Sequence, residues 1–145
     1  MMKVWEKRQM VCKIAWSYLG TFYKWGGDDP AGFDCSGLII ECLKSTGELP
    51  RRFDCRARDL AAMFERVGAQ FVQSGDLVFW ANSQGIIIHV ELMLNDSVSI
   101  GASGGGSATM TEADAIKQNA FIKIRTVSSR PGLYGFVNPF KKVVT

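Results

Sequence analysis

The chain has 145 residues, 47% of them apolar, so one domain spanning 1–145 can bury about two thirds of its unfolded surface without metals or cross-links. Its 17 Lys+Arg and 14 Asp+Glu are scattered, with no basic run longer than a pair such as Lys141-Lys142, which gives no basic stripe for nucleic acid, although the small positive excess suits an anionic polymer. No stretch approaches the roughly 20 apolar residues of a membrane span, and Met1-Met2-Lys3-Val4-Trp5-Glu6-Lys7-Arg8 lacks the uninterrupted apolar run of a secretion signal, so synthesis in the cytoplasm with no membrane partner is expected.

Val4 to Leu19 sets apolar residues such as Val4, Trp5, Cys12, Ala15 and Trp16 among charged Lys3, Glu6, Lys7, Arg8 and Lys13. That pattern predicts an amphipathic helix stopped by Gly20. Tyr23 to Gly32 carries three glycines and a proline in ten residues and reads as a loop. From Cys35 to Leu43 the apolar residues Leu38, Ile39, Cys42 and Leu43 fall at helical spacing, with an end near Thr46-Gly47. A turn at Leu49-Pro50-Arg51-Arg52-Phe53 precedes a third helix, N-capped by Asp54 and running through Val67 to Gly68.

The second half changes period. Asp76 caps a turn before the strand Leu77-Val78-Phe79-Trp80. Ile86 to Leu94 and Ser97 to Ser103 make two strands joined at Asn95-Asp96. Thr111 and Asp114 form a capping box for a short helix to Ala120, and Phe121 to Arg125 and Tyr134 to Val137 complete the strands. Helices first and an antiparallel sheet afterwards make the fold α+β.

Four cysteines, Cys12, Cys35, Cys42 and Cys55, show no C-x-x-C pair, and with a single histidine a zinc site is not indicated. Cys35 and Cys42, on one predicted helix, stand about 10 Å apart along its axis, beyond disulfide reach. Cys35 sits at the helix head, where the peptide dipoles and unpaired N–H groups favour a thiolate. His89, the lone histidine, lies in an apolar strand where its ring needs a partner. A small buried cysteine and a satisfied core histidine would look the same taken singly. Together, a helix-head cysteine and a histidine on the sheet packed against it form a nucleophile–base arrangement, distant in sequence and adjacent in space.

Tyr23-Lys24-Trp25-Gly26-Gly27, Gly32-Phe33-Asp34-Cys35-Ser36-Gly37-Leu38, Leu49-Pro50-Arg51, Gly75-Asp76-Leu77-Val78-Phe79 and His89-Val90 follow one another in an order that resembles the NlpC-type family of papain-like cell-wall cysteine peptidases. The resemblance covers roughly residues 10 to 103. It implies a papain-like fold, with N-terminal helices packed on a C-terminal antiparallel sheet and the nucleophile cysteine at a helix N-terminus. The implied activity is hydrolysis of peptidoglycan stem peptides beside a γ-linked D-glutamate, with peptidoglycan or muropeptide as partner and no metal or organic cofactor. Cys35 matches the nucleophile, His89 the general base, and Tyr23 a tyrosine whose hydroxyl lines the site, although an aromatic packed under the loop would also explain Tyr23. Asp34 and Ser36 match residues that hold the substrate's amino end, while a helix cap and a first-turn residue explain them equally well. Trp25, Gly26 and Gly27 read as architecture, the indole adding core area.

One position departs from the pattern. The family's third polar residue lies about twelve residues after the base, which here is Gly101. Ser99 and Ser103, on the same strand face, are the candidate substitutes, and a backbone carbonyl is another. Glu91 shares the face of His89 but, as a neighbour on one strand, is expected to be poorly placed for the ring's far nitrogen. Other acyl transfers use the same Cys/His pair, so an amidase or acyltransferase on small substrates is one alternative. A catalytically weakened module binding peptidoglycan or protein is another. With no secretion signal in view, delivery to the wall as a phage lysin, tail component or effector is the expectation.

Overall fold

The computed structural model describes residues 2–29 and 32–144, so Pro30 and Ala31 of the expected loop lie outside the described residues. Helix α1 (Val4–Ser17) forms as its spacing predicts, and Gly20, at φ +88°, ends its C-terminal turn. Its buried stripe is Arg8, Val11 and Ala15, while Trp5 and Trp16 face outward. Arg8, though charged, belongs to that stripe because its guanidinium donates to Asp76 Oδ1 at 2.8 Å and to the Ser74 carbonyl at 3.0 Å. Asp76 also caps its turn, accepting from the Gln73 N–H at 3.0 Å.

Within the glycine-rich loop, β1 (Asp28–Asp29) and β2 (Gly32–Phe33) pair as a short antiparallel ribbon. Helix α2 (Cys35–Ser45) follows directly, and Leu38, Ile39, Ile40, Cys42 and Leu43 are all buried on it. Helix α3 (Ala57–Met63) is shorter than expected and is preceded by Arg56, not by Asp54. The residues expected to continue it form β3 (Phe64–Val67), because Glu65, Arg66 and Val67 find partners at Asn138, Val137 and Phe136. This long-range ladder outweighs a local helical preference.

Strands β4 (Leu77–Ala81), β5 (Ile87–Met93) and β6 (Val98–Ser103) lie close to their predicted bounds. Helix α4 (Glu112–Gln118) carries the expected capping box and ends at Asn119, whose φ is +55°. Strand β7 (Phe121–Thr126) matches its reading, and β8 (Leu133–Lys142) is longer than the sequence suggests. The six strands make one antiparallel sheet in the order β3-β8-β4-β5-β6-β7.

Two apolar layers cover this sheet. Leu77, Phe79, Val90, Leu92, Ile100, Ala102 and Ile122 pack with α1 and α2, whereas Val78, Trp80, Met93 and Phe136 form a smaller cluster. Alternation along β5 puts His89 and Glu91 with the second set, opposite Trp80 and Val78 of β4. The ladder between β5 and β6 pairs only Leu92 with Ile100 and Met93 with Ser99. The first half of β5 is thus free on that side, and there the head of α2 approaches it.

Candidate functional site

Cys35 is positioned by the start of α2. Asp34 adopts an extended backbone and its Oδ1 accepts from the Gly37 N–H at 2.7 Å, a side-chain N-cap. Its Oδ2 accepts from the Gly26 N–H at 3.2 Å, which ties the glycine loop to the helix head. Gly37 is required there, since a Cβ would lie 2.0 Å from the Gly27 carbonyl oxygen. Loop and helix head are thereby held in backbone contact.

A cleft of about 690 Å³ opens at this head. Cys35, Tyr23, Asp34 and Ser36 line it on one side, with Ile87 and Ile88, the residues just before His89, among its other walls. Trp25 also lines it and is 49% exposed, so the reading of its indole as core is corrected: the loop holds the ring at the rim. Cys55 and Asp59, which sequence reasoning passed over, stand in the wall as well. Among the described residues no group of His, Cys, Asp and Glu is placed to hold a metal ion.

The Val90 N–H reaches the Cys35 sulfur from the free edge of β5. Burial nevertheless pushes the Cys35 thiol up to about 11, because the Val90 and Ser36 N–H groups do not offset desolvation and the Asp34 carboxylate raises it further. Burial thus opposes the thiolate that the helix-head position favours. Burial likewise raises the Tyr23 phenol, assisted by Cys35 and Asp34, so that it stays a neutral O–H donor. Tyr23 lines the cleft, and its ring packs against the backbone of Gly105, where a Cβ would come within 2.4 Å of it. Asp34 is raised by burial against the bonds from Gly37, Ser36 and Gly26. The Ser36 hydroxyl donates to Asp34 Oδ1 at 3.3 Å.

His89 is 5% exposed, its ring 5.4 Å from that of Trp80. Its Nε2 lies 2.6 Å from Glu91 Oε2. With a carboxylate there as acceptor, Nε2 carries the ring proton and Nδ1 is the nitrogen left to accept one. The expectation for Glu91 is therefore reversed: its side chain is long enough to fold back along its own strand. Neither serine candidate takes that place among the described residues, for the Ser99 hydroxyl donates to Glu91 Oε1 at 2.7 Å, and it is Glu91, not the buried Ser103, that meets His89 Nε2. Arg125 of β7 donates to Glu91 Oε2 at 3.0 Å. Burial pushes the Glu91 carboxyl up, but His89, Ser99 and Arg125 together hold it below the usual range. Burial lowers His89, aided by Arg130 and Arg125 and opposed by Glu91, so a neutral imidazole faces a charged carboxylate.

A model of the NlpC/P60 family matches residues 20–127. A Lysinibacillus sphaericus protein named dipeptidyl-peptidase 6 is 34% identical over 100 residues, which is 69% of this chain and 34% of that protein. A Bacillus subtilis (strain 168) protein named gamma-D-glutamyl-L-lysine dipeptidyl-peptidase is 38% identical over 78 residues, 52% of this chain and 25% of that one. The chain thus spans about a third or less of the length of these curated relatives. Among solved structures, the NlpC/p60 domain of the peptidoglycan hydrolase SagA aligns at TM-score 0.67 with 24% identity, over 90% of this chain and 97% of that one. The peptidoglycan hydrolase RipB from Mycobacterium tuberculosis aligns at TM-score 0.68 with 26% identity, over 93% and 65%.

Proposed function

The chain belongs to the NlpC/P60 family, and from that membership we propose that it is a cysteine peptidase cutting peptidoglycan stem peptides at a γ-D-glutamyl–diamino acid type bond, with Cys35 as nucleophile and His89 as base. The observation that carries this reading is the placement of Cys35 at a capped helix head inside a cleft, beside the strand that bears the only histidine. The relatives named as gamma-D-glutamyl-L-lysine dipeptidyl-peptidases support the bond.

In the proposed reaction, His89 Nδ1 takes the Cys35 proton as the sulfur attacks the amide carbonyl. N–H groups at the head of α2, with the Tyr23 hydroxyl, hold the developing oxyanion. The tetrahedral intermediate collapses to a thioester as His89 protonates the leaving amine. Water, deprotonated by His89, then hydrolyses the thioester and frees Cys35. Asp34 and Ser36, in the same cleft wall, hold the amino end of the peptide.

Purified protein incubated with a stem peptide containing a γ-D-glutamyl-L-lysine or γ-D-glutamyl-diaminopimelate bond is expected to release two fragments by chromatography and mass spectrometry. Cys35→Ala is expected to abolish release. Intact peptide after incubation with folded wild-type protein, together with selective labelling of Cys35 by a thiol probe, would favour the amidase or acyltransferase reading instead.

A further inference from the structure

We propose that Glu91 is the positioning residue for His89, and that Gly101 is the vacated position that admits it. The inference rests on the reading of His89 as the base. The pairing of Leu92 with Ile100 sets Glu91 opposite Gly101 when the register is carried one step on. A Cβ built at Gly101 would come 2.3 Å from Glu91 Cγ and 2.9 Å from its Cδ. Any side chain at 101 therefore occupies the space through which Glu91 runs. The polar side chain expected on β6 is absent, and one from β5 fills that space from the other side.

The surroundings of Glu91 fit this role. It is 0% exposed, and a buried carboxylate needs strong partners. It has three, all donors: His89 Nε2 at 2.6 Å, Ser99 Oγ at 2.7 Å and Arg125 at 3.0 Å. Ser99 and Arg125 are cross-strand partners on β6 and β7, so two neighbouring strands hold the carboxylate that holds the ring. A third group of this kind fixes tautomer and ring orientation. Glu91 leaves the proton on Nε2 and the lone pair on Nδ1, the tautomer a base requires. The charged groups around the ring are Glu91, Arg125 and Arg130.

Because His89 is the sole histidine, imidazole ¹⁵N NMR reads its tautomer without ambiguity. Wild-type protein is expected to show one tautomer, protonated at Nε2. Glu91→Ala is expected to give averaged signals of two tautomers and a fall in kcat/KM of about 100-fold or more, mostly in kcat. Glu91→Gln keeps an acceptor oxygen for Nε2 but loses the charge, so the tautomer should persist while the imidazolium pKa drops and kcat/KM falls less than in the alanine variant. Gly101→Ala should displace the carboxylate and resemble Glu91→Ala. A wild-type spectrum protonated at Nδ1, or Glu91 and Gly101 variants within threefold of wild type in kcat/KM and unchanged in tautomer, would overturn the proposal. Should Glu91→Ala not fold, Glu91→Gln and Gly101→Ala decide it. The spectrum requires no substrate, so it separates this inference from the peptidase reading, which Cys35→Ala tests.

Discussion

At the residue scale the decisive quantity is the proton on Cys35. Burial pushes its thiol up to about 11 and lowers His89, so both groups rest neutral at pH 7 and the proton moves only as substrate is attacked. Since only the thiolate is alkylated, iodoacetamide labelling of Cys35 is expected to rise about tenfold per pH unit between 7 and 10. A rate flat across that range would mean a preformed thiolate–imidazolium pair. Cys55, pushed up to about 12 by burial with Asp59 and Asp54 beside it, should label more slowly at each pH, by mass spectrometry of the adducts. Cys35 and His89 were legible in sequence because flanking glycines, aspartate and apolar runs mark a helix head and a strand. Glu91 was not legible as the support of His89, because on an ideal strand a same-face neighbour stands alongside the ring and not at its far nitrogen. The glycine opposite the carboxylate was hidden by the turn: two residues at Asn95-Asp96 would set Glu91 against Ile100, and only a loop that also includes Ser97, with Leu94 paired to Val98, brings it to Gly101.

At the element scale, the head of α2 combines a structural and a proposed binding role in Asp34. As an N-cap it serves Gly37, and as a latch it serves Gly26. Asp34→Ala is expected to lower unfolding free energy in urea by about 1 kcal/mol. Asp34→Asn preserves a cap oxygen and should leave stability within about 0.5 kcal/mol. If Asp34 also holds the peptide's ammonium, Asp34→Asn should raise KM about tenfold with kcat little changed, the loss of one charge-assisted hydrogen bond. An unchanged KM would restrict Asp34 to capping. The helix itself was readable from spacing, cap and glycine. What escaped was the exchange of helix for strand at Phe64–Val67, since the pairing that decides it lies far along the chain, at Asn138, Val137 and Phe136.

Across the whole molecule, the order of helices before strands made α+β legible, because alternation and the period change are local properties. The sheet order β3-β8-β4-β5-β6-β7 was not, since the last strand inserts between the first and the second. The buried pair of Arg8 and Asp76 escaped for the same reason: a guanidinium on α1 and a carboxylate before β4 are anonymous until the helix docks. At 2.8 Å, with side-chain exposures of 8% and 1%, the pair fastens α1 to the turn entering the central strands. Removing one member strands the other, so Arg8→Met is expected to cost about 3–5 kcal/mol of unfolding free energy in urea. Replacing both, as Arg8→Met with Asp76→Asn, removes the uncompensated charge and should recover a large part of that loss, the asparagine still accepting from the Gln73 N–H. A double variant as unstable as the sum of the two singles would show that the two groups act separately and that the ion pair does not fasten the helix.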